Sequence, residues 1–411
     1  MSRTRIVIVV GLVIAASAAV AVVLVPRWVK ARIIAAAAAN GVALTIDDLS
    51  LAPGRTRLKG VRAAPLIQGD TKKLPKITAS AAVVDVELDG LTPTAITVTG
   101  MVVDLDGSAE DVRAAIAGRD QRTGGGTSPI TRVTLTNATF TWKHLFQTNL
   151  VAIDATHVSG NVTRKPGRAL GDDWHIETSD LRAFDATSKA APWALVADGD
   201  GAGTRATLTL APSASVRVAV PAAGGLDLDV DTPNASVTDL GIPSAVLGMY
   251  GDETSRFEIH LHHAQDATHA KGTLVATASD VFIGVSTART SLTLDARYAG
   301  DPSKLDLTGA SLRAGPFTGT LEGWFAPSAG AYSVRYTSGV VSCLDAVKAQ
   351  ITSYGDVGKG VAALAGMLGL DRAVEGRVML KGEVEIDAHA PSINRFAFHT
   401  EGDCKLSYLP F

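Results

Sequence analysis

Histidines and aspartates at strand spacing are the first residues whose types could do chemistry. His260-Leu-His262-His263, with His269 further on, is the densest imidazole group in the chain. On a strand His260 and His262 share a face, and His269 would lie across a hairpin, which offers nitrogen ligands to zinc. Zinc takes three or four ligands in tetrahedral array, so the set is incomplete and reads as a polar strand face. Asp227, Asp229 and Asp231 resemble the start of a calcium loop, but Thr232 and Thr238 stand where an EF-hand requires glycine and glutamate. Gly355-Asp-Val-Gly-Lys-Gly360 lacks the Ser or Thr after lysine, and the preceding strand, of a phosphate loop. Asp47-Asp48 is an acid pair at a turn or strand edge. With no G-x-S-x-G elbow and no H-E-x-x-H helix, the sequence predicts no enzyme, no metal and no cofactor.

Cys343 and Cys404 are the two cysteines. In an oxidising compartment such a pair predicts one disulfide; two unrelated buried thiols are the alternative. The net charge of −3 over 411 residues gives no basic footprint for nucleic acid. Hydrophobic residues make up 46% but aromatics only 5%, so apolar surface must come from Ala, Val and Leu, and forty glycines suit turns and bulges.

These residues must be positioned by strands. Ala82, Val84, Val86 and Leu88 alternate with Asp85, Glu87 and Asp89, and Leu226, Leu228 and Val230 with Asp227, Asp229 and Asp231. The apolar set shifts from Ile96 and Val98 to Met101, Val103 and Leu105 past Gly100, as a bulge would produce. It shifts again past Asn137, from Val133 and Leu135 to Ala138, Phe140 and Trp142. Similar runs follow at Ser291–Tyr298, Lys304–Thr308, Thr318–Trp324 and Arg377–Ala388, which together predict an antiparallel sheet with one apolar and one polar face. Helices are expected at Trp28–Ala39, Ser108–Ala117, Val341–Tyr354 and Val357–Leu370, with a short one within Leu240–Tyr250.

Ahead of the strands, Ile6 to Val25 carries no charge over twenty residues, the length of a membrane-crossing helix. Arg3 and Arg5 precede it; Arg27, Trp28, Lys30 and Arg32 follow. An uncleaved anchor is the expectation, and a signal peptide cleaved near Ala16-Ser17-Ala18 is its rival.

Anchor and short helix lead into Gly41-Val-Ala-Leu-Thr-Ile-Asp-Asp-Leu-Ser-Leu-Ala-Pro-Gly54, then Thr56-Arg-Leu-Lys-Gly-Val-Arg62, then strands near Ile77–Leu88 and Ile96–Leu105. This order resembles the AsmA-like family of envelope proteins. The stretch Ile130-Thr-Arg-Val-Thr-Leu-Thr-Asn-Ala-Thr-Phe-Thr-Trp142 is similar to the strand that opens that family's central region. The resemblance implies a single-pass inner-membrane protein with its body in the periplasm, an elongated curled sheet forming a groove, and a part in outer-membrane lipid homeostasis. The expected organisation is an anchor (1–26), an N-terminal unit (27–120), a Gly-rich linker or loop (121–129), a central β-region (130–340) and C-terminal helices and strands (341–411).

Two functions follow. In the first, Val84, Val86, Leu88, Leu226, Leu228 and Val230 line a lipid groove, with membrane lipids and other envelope proteins as partners. In the second, a non-catalytic assembly scaffold fills the same face with its own packing. Deleting Met1–Pro26 is expected to leave a body that no longer pellets with membranes; pelleting after a high-salt wash would refute the single anchor.

Overall fold

A computed structural model describes residues 26–406 apart from 40–41, 66–75, 91, 108–128, 147–148, 166–172, 185–191, 211–213, 241–248, 251–253, 284–288, 327–329, 368, 370–371 and 388–394. The chain is mainly β. The anchor expected at Ile6–Val25 and the helix expected at Ser108–Ala117 lie outside the described residues. Among the described residues, no helix is long and apolar enough to cross a membrane. The chain divides into two compact units, Met1–Asp185 with Ala194–Gly201, and Ala186–Trp193 with Ala202–Phe411.

The first unit opens with helix α1 (26–39), followed by β1 (Val42–Thr45) and β2 (Asp48–Ala52). The chain breaks between them at Ile46-Asp47, and both pieces pair with β3 (Arg55–Pro65). The ladder continues through β4 (Lys76–Asp89), β5 (Thr92–Asp106), β6 (Arg132–Phe146), β7 (Asn149–Thr163) and β8 (Asp173–Phe184). β9 (Trp193–Asp200) lies beside β8, where His175 meets Asp198 at 2.6 Å.

The sheet was expected to be antiparallel, but β5 and β6 pair in parallel. Parallel neighbours need a crossover of a dozen or more residues, and the chain between Asp106 and Arg132 supplies that length. The Gly-rich stretch expected as a linker or loop (121–129) falls inside this crossover, and the chain on its two sides belongs to one unit.

A seam of left-handed residues crosses these strands. Gly60 (φ +59°) lies opposite Ala82, which lies opposite Gly100 (φ +62°), and the register of β6 and β7 shifts around Asn137 and His157, both at φ +53°. His157 Nδ1 and Asn137 Oδ1 are 2.9 Å apart. A one-residue irregularity swaps the two faces of a strand. Here the strands swap together, so Leu58, Val84 and Val98 above the seam share a face with Val61, Ala81 and Met101 below it.

In the second unit the strands follow chain order: β10 (Gly203–Leu210), β11 (Ala214–Pro221), β12 (Leu226–Ala235), β14 (Arg256–Gln265), β15 (Ala270–Ile283), β16 (Arg289–Asp301), β17 (Lys304–Ala314), β18 (Phe317–Ala326) and β19 (Ala331–Ser338). β13 (Met249–Tyr250) adds to β15. β22 (Arg377–Asp387) pairs with β19, β20 (Val341–Ser342) and β23 (Arg395–Gly402); β21 (Val374–Glu375) pairs with β24 (Lys405–Leu406). The helices are α2 (Val237–Leu240), α3 (Cys343–Thr352) and α4 (Gly355–Met367). Ser342 caps α3, its hydroxyl accepting from the Asp345 amide at 3.0 Å. A core of Leu210, Ala214, Leu240, Phe257, Ala278 and Val281 forms where α2 turns inward, and Trp193 Nε1 donates to the Leu240 carbonyl at 3.0 Å.

At Gly60 a Cβ would lie 2.0 Å from Asp47 Oδ2, on a backbone already left-handed. Gly60→Val is therefore expected to lower stability by about 2 kcal/mol or more, while Gly90→Ala, left-handed but with open space around it, costs about 1 kcal/mol. Urea denaturation of the two variants checks the order; equal losses would mean that the seam has no special packing.

Candidate functional site

The apolar face of the second unit is built by register. Val216, Val230, Leu261, Leu274 and Ala296 stand opposite one another across β11, β12, β14, β15 and β16. The next row is Val218, Leu228, His263, Gly272 and Tyr298. The large aliphatic residues of these rows, Val230, Leu261, Leu274 and Leu228, are half-buried.

Within this face lies a polar group that sequence reading missed. His263 Nδ1 is 3.0 Å from the Tyr298 hydroxyl, its Nε2 is 3.3 Å from Gln265 Oε1, and Tyr298 meets Phe325 edge to face. Tyr298 folds over Gly272, where a Cβ would come within 2.3 Å of the phenol oxygen. The one signal in sequence was a glycine breaking the apolar alternation of β15. Burial raises the Tyr298 hydroxyl above its ordinary pKa, so it stays a neutral hydrogen-bonding group.

On the opposite, polar face each histidine answers to a carboxylate. His262 Nδ1 lies 2.7 Å from Asp229, and His260 lies 2.7 Å from Asp231 and 3.1 Å from Glu258. Glu258 and Asp231 raise the His260 pKa above its ordinary value, so its contribution to stability is present below pH 6.5 and fades as pH rises through the folded value. All five side chains are about half exposed, which keeps that contribution small. His263 points to the other face, and His269 sits in the turn after β14 against Thr268. Register therefore separates the imidazoles that sequence spacing grouped. Among the described residues no three His, Cys, Asp or Glu side chains are arranged to hold a metal. Asp227, Asp229 and Asp231 lie on strand β12, not in a loop, and Gly355–Gly360 forms the start of α4. Asp47 pairs with Arg62 at 3.3 Å.

The six expected groove residues fall into two environments. Val84 and Val86 pack on a core of Ile46, Leu49 and Leu58, onto which α1 also packs Val29, Ile33 and Ile34. Leu88, opposite Pro93, is half-buried. Leu226, Leu228 and Val230 are half-buried on their own unit's apolar face. Cys343 and Cys404 are joined by a disulfide, with Cα atoms 5.6 Å apart and Cys343 fully buried.

Behind Val84 and Val86, Asp85 is buried on the polar face and takes hydrogen bonds from both Arg55 and Arg57, the closest at 2.6 and 2.7 Å. No protein-family model matches this chain, and no curated protein is similar to it.

The Arg57 hydrogen bond, with Arg55 behind it, holds the Asp85 carboxyl at about 2. That value is below the unfolded one of about 3.9, so the pair's stabilisation is complete above pH 4 and disappears as pH falls toward 2. Asp85→Asn is expected to cost on the order of 2 kcal/mol at pH 6, with the gap to the parent protein closing by pH 2. Urea melts at both pH values read this; a gap independent of pH would assign the loss to packing.

Proposed function

We propose that this chain is a non-enzymatic lipid-binding protein of the cell envelope, holding acyl chains along the apolar face of its strands. The observation that carries this reading is the set of aliphatic rows through Leu228 and Val230, which share one face yet stay half-buried. A sheet face of that kind must be covered, and large apolar patches on soluble surfaces mark sites of ligand, protein or membrane contact. The aliphatic lining, with few aromatics, suits acyl chains better than a flat ring system. The twenty-residue apolar run ahead of Pro26 supports a body held at a membrane, and the AsmA-like resemblance supports the inner membrane, a periplasmic body and a role in outer-membrane lipid homeostasis.

The scaffold reading has its own support. α1 shares the Leu58 core with Val84 and Val86, and Leu240 and Phe257 fill one end of the second unit's face, so part of the apolar surface is self-packed. The two readings separate at Leu228.

A photo-crosslinking residue at Leu228 or Val230 is expected to capture lipid in the full-length protein, and one at Asp229 is not. Native mass spectrometry after mild detergent extraction should show phospholipid retained. A folded protein that captures none at Leu228, or as much at Asp229, would establish the scaffold instead.

The disulfide offers a separate check on compartment and stability. Cys343 and Cys404 close a loop of 61 residues, which constrains the unfolded chain by about 4 kcal/mol. Cys343→Ala/Cys404→Ala is expected to lower stability by about that amount, read by urea denaturation. No change would mean that the bridge does not form in the cell.

A further inference from the structure

We propose that the α3–α4 hairpin docks the second unit onto a lipid bilayer, with the exposed stripe of α4 resting in the acyl region. The hairpin's placement follows from register. β16 and β22 begin, and β17 and β19 end, at one edge of the sheet, at Arg289, Arg377, Ala314 and Ser338, with the start of β18 between them at Phe317. α3 leaves this edge beside β22, where Val341 pairs with Val378 and the Cys343 amide donates to the Gly376 carbonyl at 3.1 Å. At its far end the Arg289 amide donates to the Ser353 carbonyl at 2.9 Å. From β22 to β16 is four strand spacings, about 19 Å, and a ten-residue helix with its cap is roughly 15 Å long. α3 therefore lies across the strand ends, and the disulfide at Cys343 fixes its base.

α4 returns against α3 through Gly358, where a Cβ would lie 1.9 Å from the Ile351 carbonyl oxygen. That contact sets which face of α4 points outward. Val357, Val361, Leu364 and Met367, at helical spacing, are 78, 49, 56 and 85% exposed. The helix has one ion pair, Asp356 with Lys359 at 3.1 Å in its first turns, and from Gly360 to Met367 no charged or polar side chain at all.

Two features select lipid over a protein partner. Four side chains at these exposures present on the order of 500 Å², short of the roughly 800 Å² each partner gives to a stable protein interface. A protein interface also carries a polar rim, and here the stripe is bordered by Gly360, Ala363 and Gly366. From Gly360 to Met367 the helix is apolar around its circumference yet open on one side, which matches a hydrocarbon environment. The inference stands on α4 alone and does not depend on lipid occupying the strand face.

The test uses the full-length chain in vesicles of phosphatidylethanolamine and phosphatidylglycerol, with a photoreactive residue at Leu364 or Met367 and a control at Asp229. Lipid adducts at Leu364 and Met367 at least tenfold above the control are expected. Adducts to a second copy of the chain, adducts to residues 6–25 of the same chain, or no lipid adduct would each overturn the proposal. Because both side chains are exposed, Leu364→Asp/Met367→Asp should leave the thermal melt unchanged while reducing lipid capture from a probe at Val361 at least fivefold; undiminished capture would also overturn it. Lipid at Leu364 without lipid at Leu228 would leave this docking role standing and remove the lipid-binding strand face.

Discussion

A sheet patterned with aliphatic residues on one side and carboxylates on the other imposes a single requirement, that the aliphatic side be covered. Much of the rest of this chain answers to it. In the first unit α1 brings Val29, Ile33 and Ile34 onto the same core as Val84 and Val86. In the second, the chain after β12 folds back so that Leu240 becomes fully buried beside Phe257 and Val281. Among the described residues no such segment packs along Leu228, Val230 and Leu274, and these side chains are half-buried. The lipid-binding reading rests on that difference.

Keeping one face apolar through long strands needs a device, because right-handed twist and bulges disturb the alternation. The left-handed seam is that device. If Gly100 alone changed parity, Met101 and Val103 would emerge among the polar side chains of β4. Because Gly60, Gly100, Asn137 and His157 adopt left-handed backbone along one line, adjacent strands exchange faces in step. Two of the four positions are not glycine, and the Asn137–His157 hydrogen bond joins them across strands.

The polar face does a different job. Its exposed pairs, such as Asp229 with His262 and Arg335 with Glu383, contribute little stability each. They penalise register slips, because a one-residue shift would place these charges on the aliphatic side. Asp85 is different, since it is buried and held by two guanidinium groups; there the pairing is structural as well as selective.

By itself the sequence determined the strand class, the two-faced character of β4, β5, β6 and β12, the parity shifts at Gly100 and Asn137, and helices close to α3 and α4. These are local properties, carried by alternation, glycine and capping residues within a few positions of one another. Only the tertiary structure decided that β5 and β6 run parallel, because a crossover's direction is not written in the strands it joins. Burial was decided in the same way. Val86 and Leu228 have the same pattern in sequence and both are half-buried, yet Val86 packs against the core that α1 shares, while Leu228 sits in an apolar row beside His263 on its own sheet. Likewise His260, His262 and His263 are neighbours in the chain, but pleating and register send the first two to aspartates and the third to Tyr298. The physical reason is common to all three cases. Alternation fixes which way a side chain points relative to its own strand, and only the arrival of distant segments fixes what it meets there.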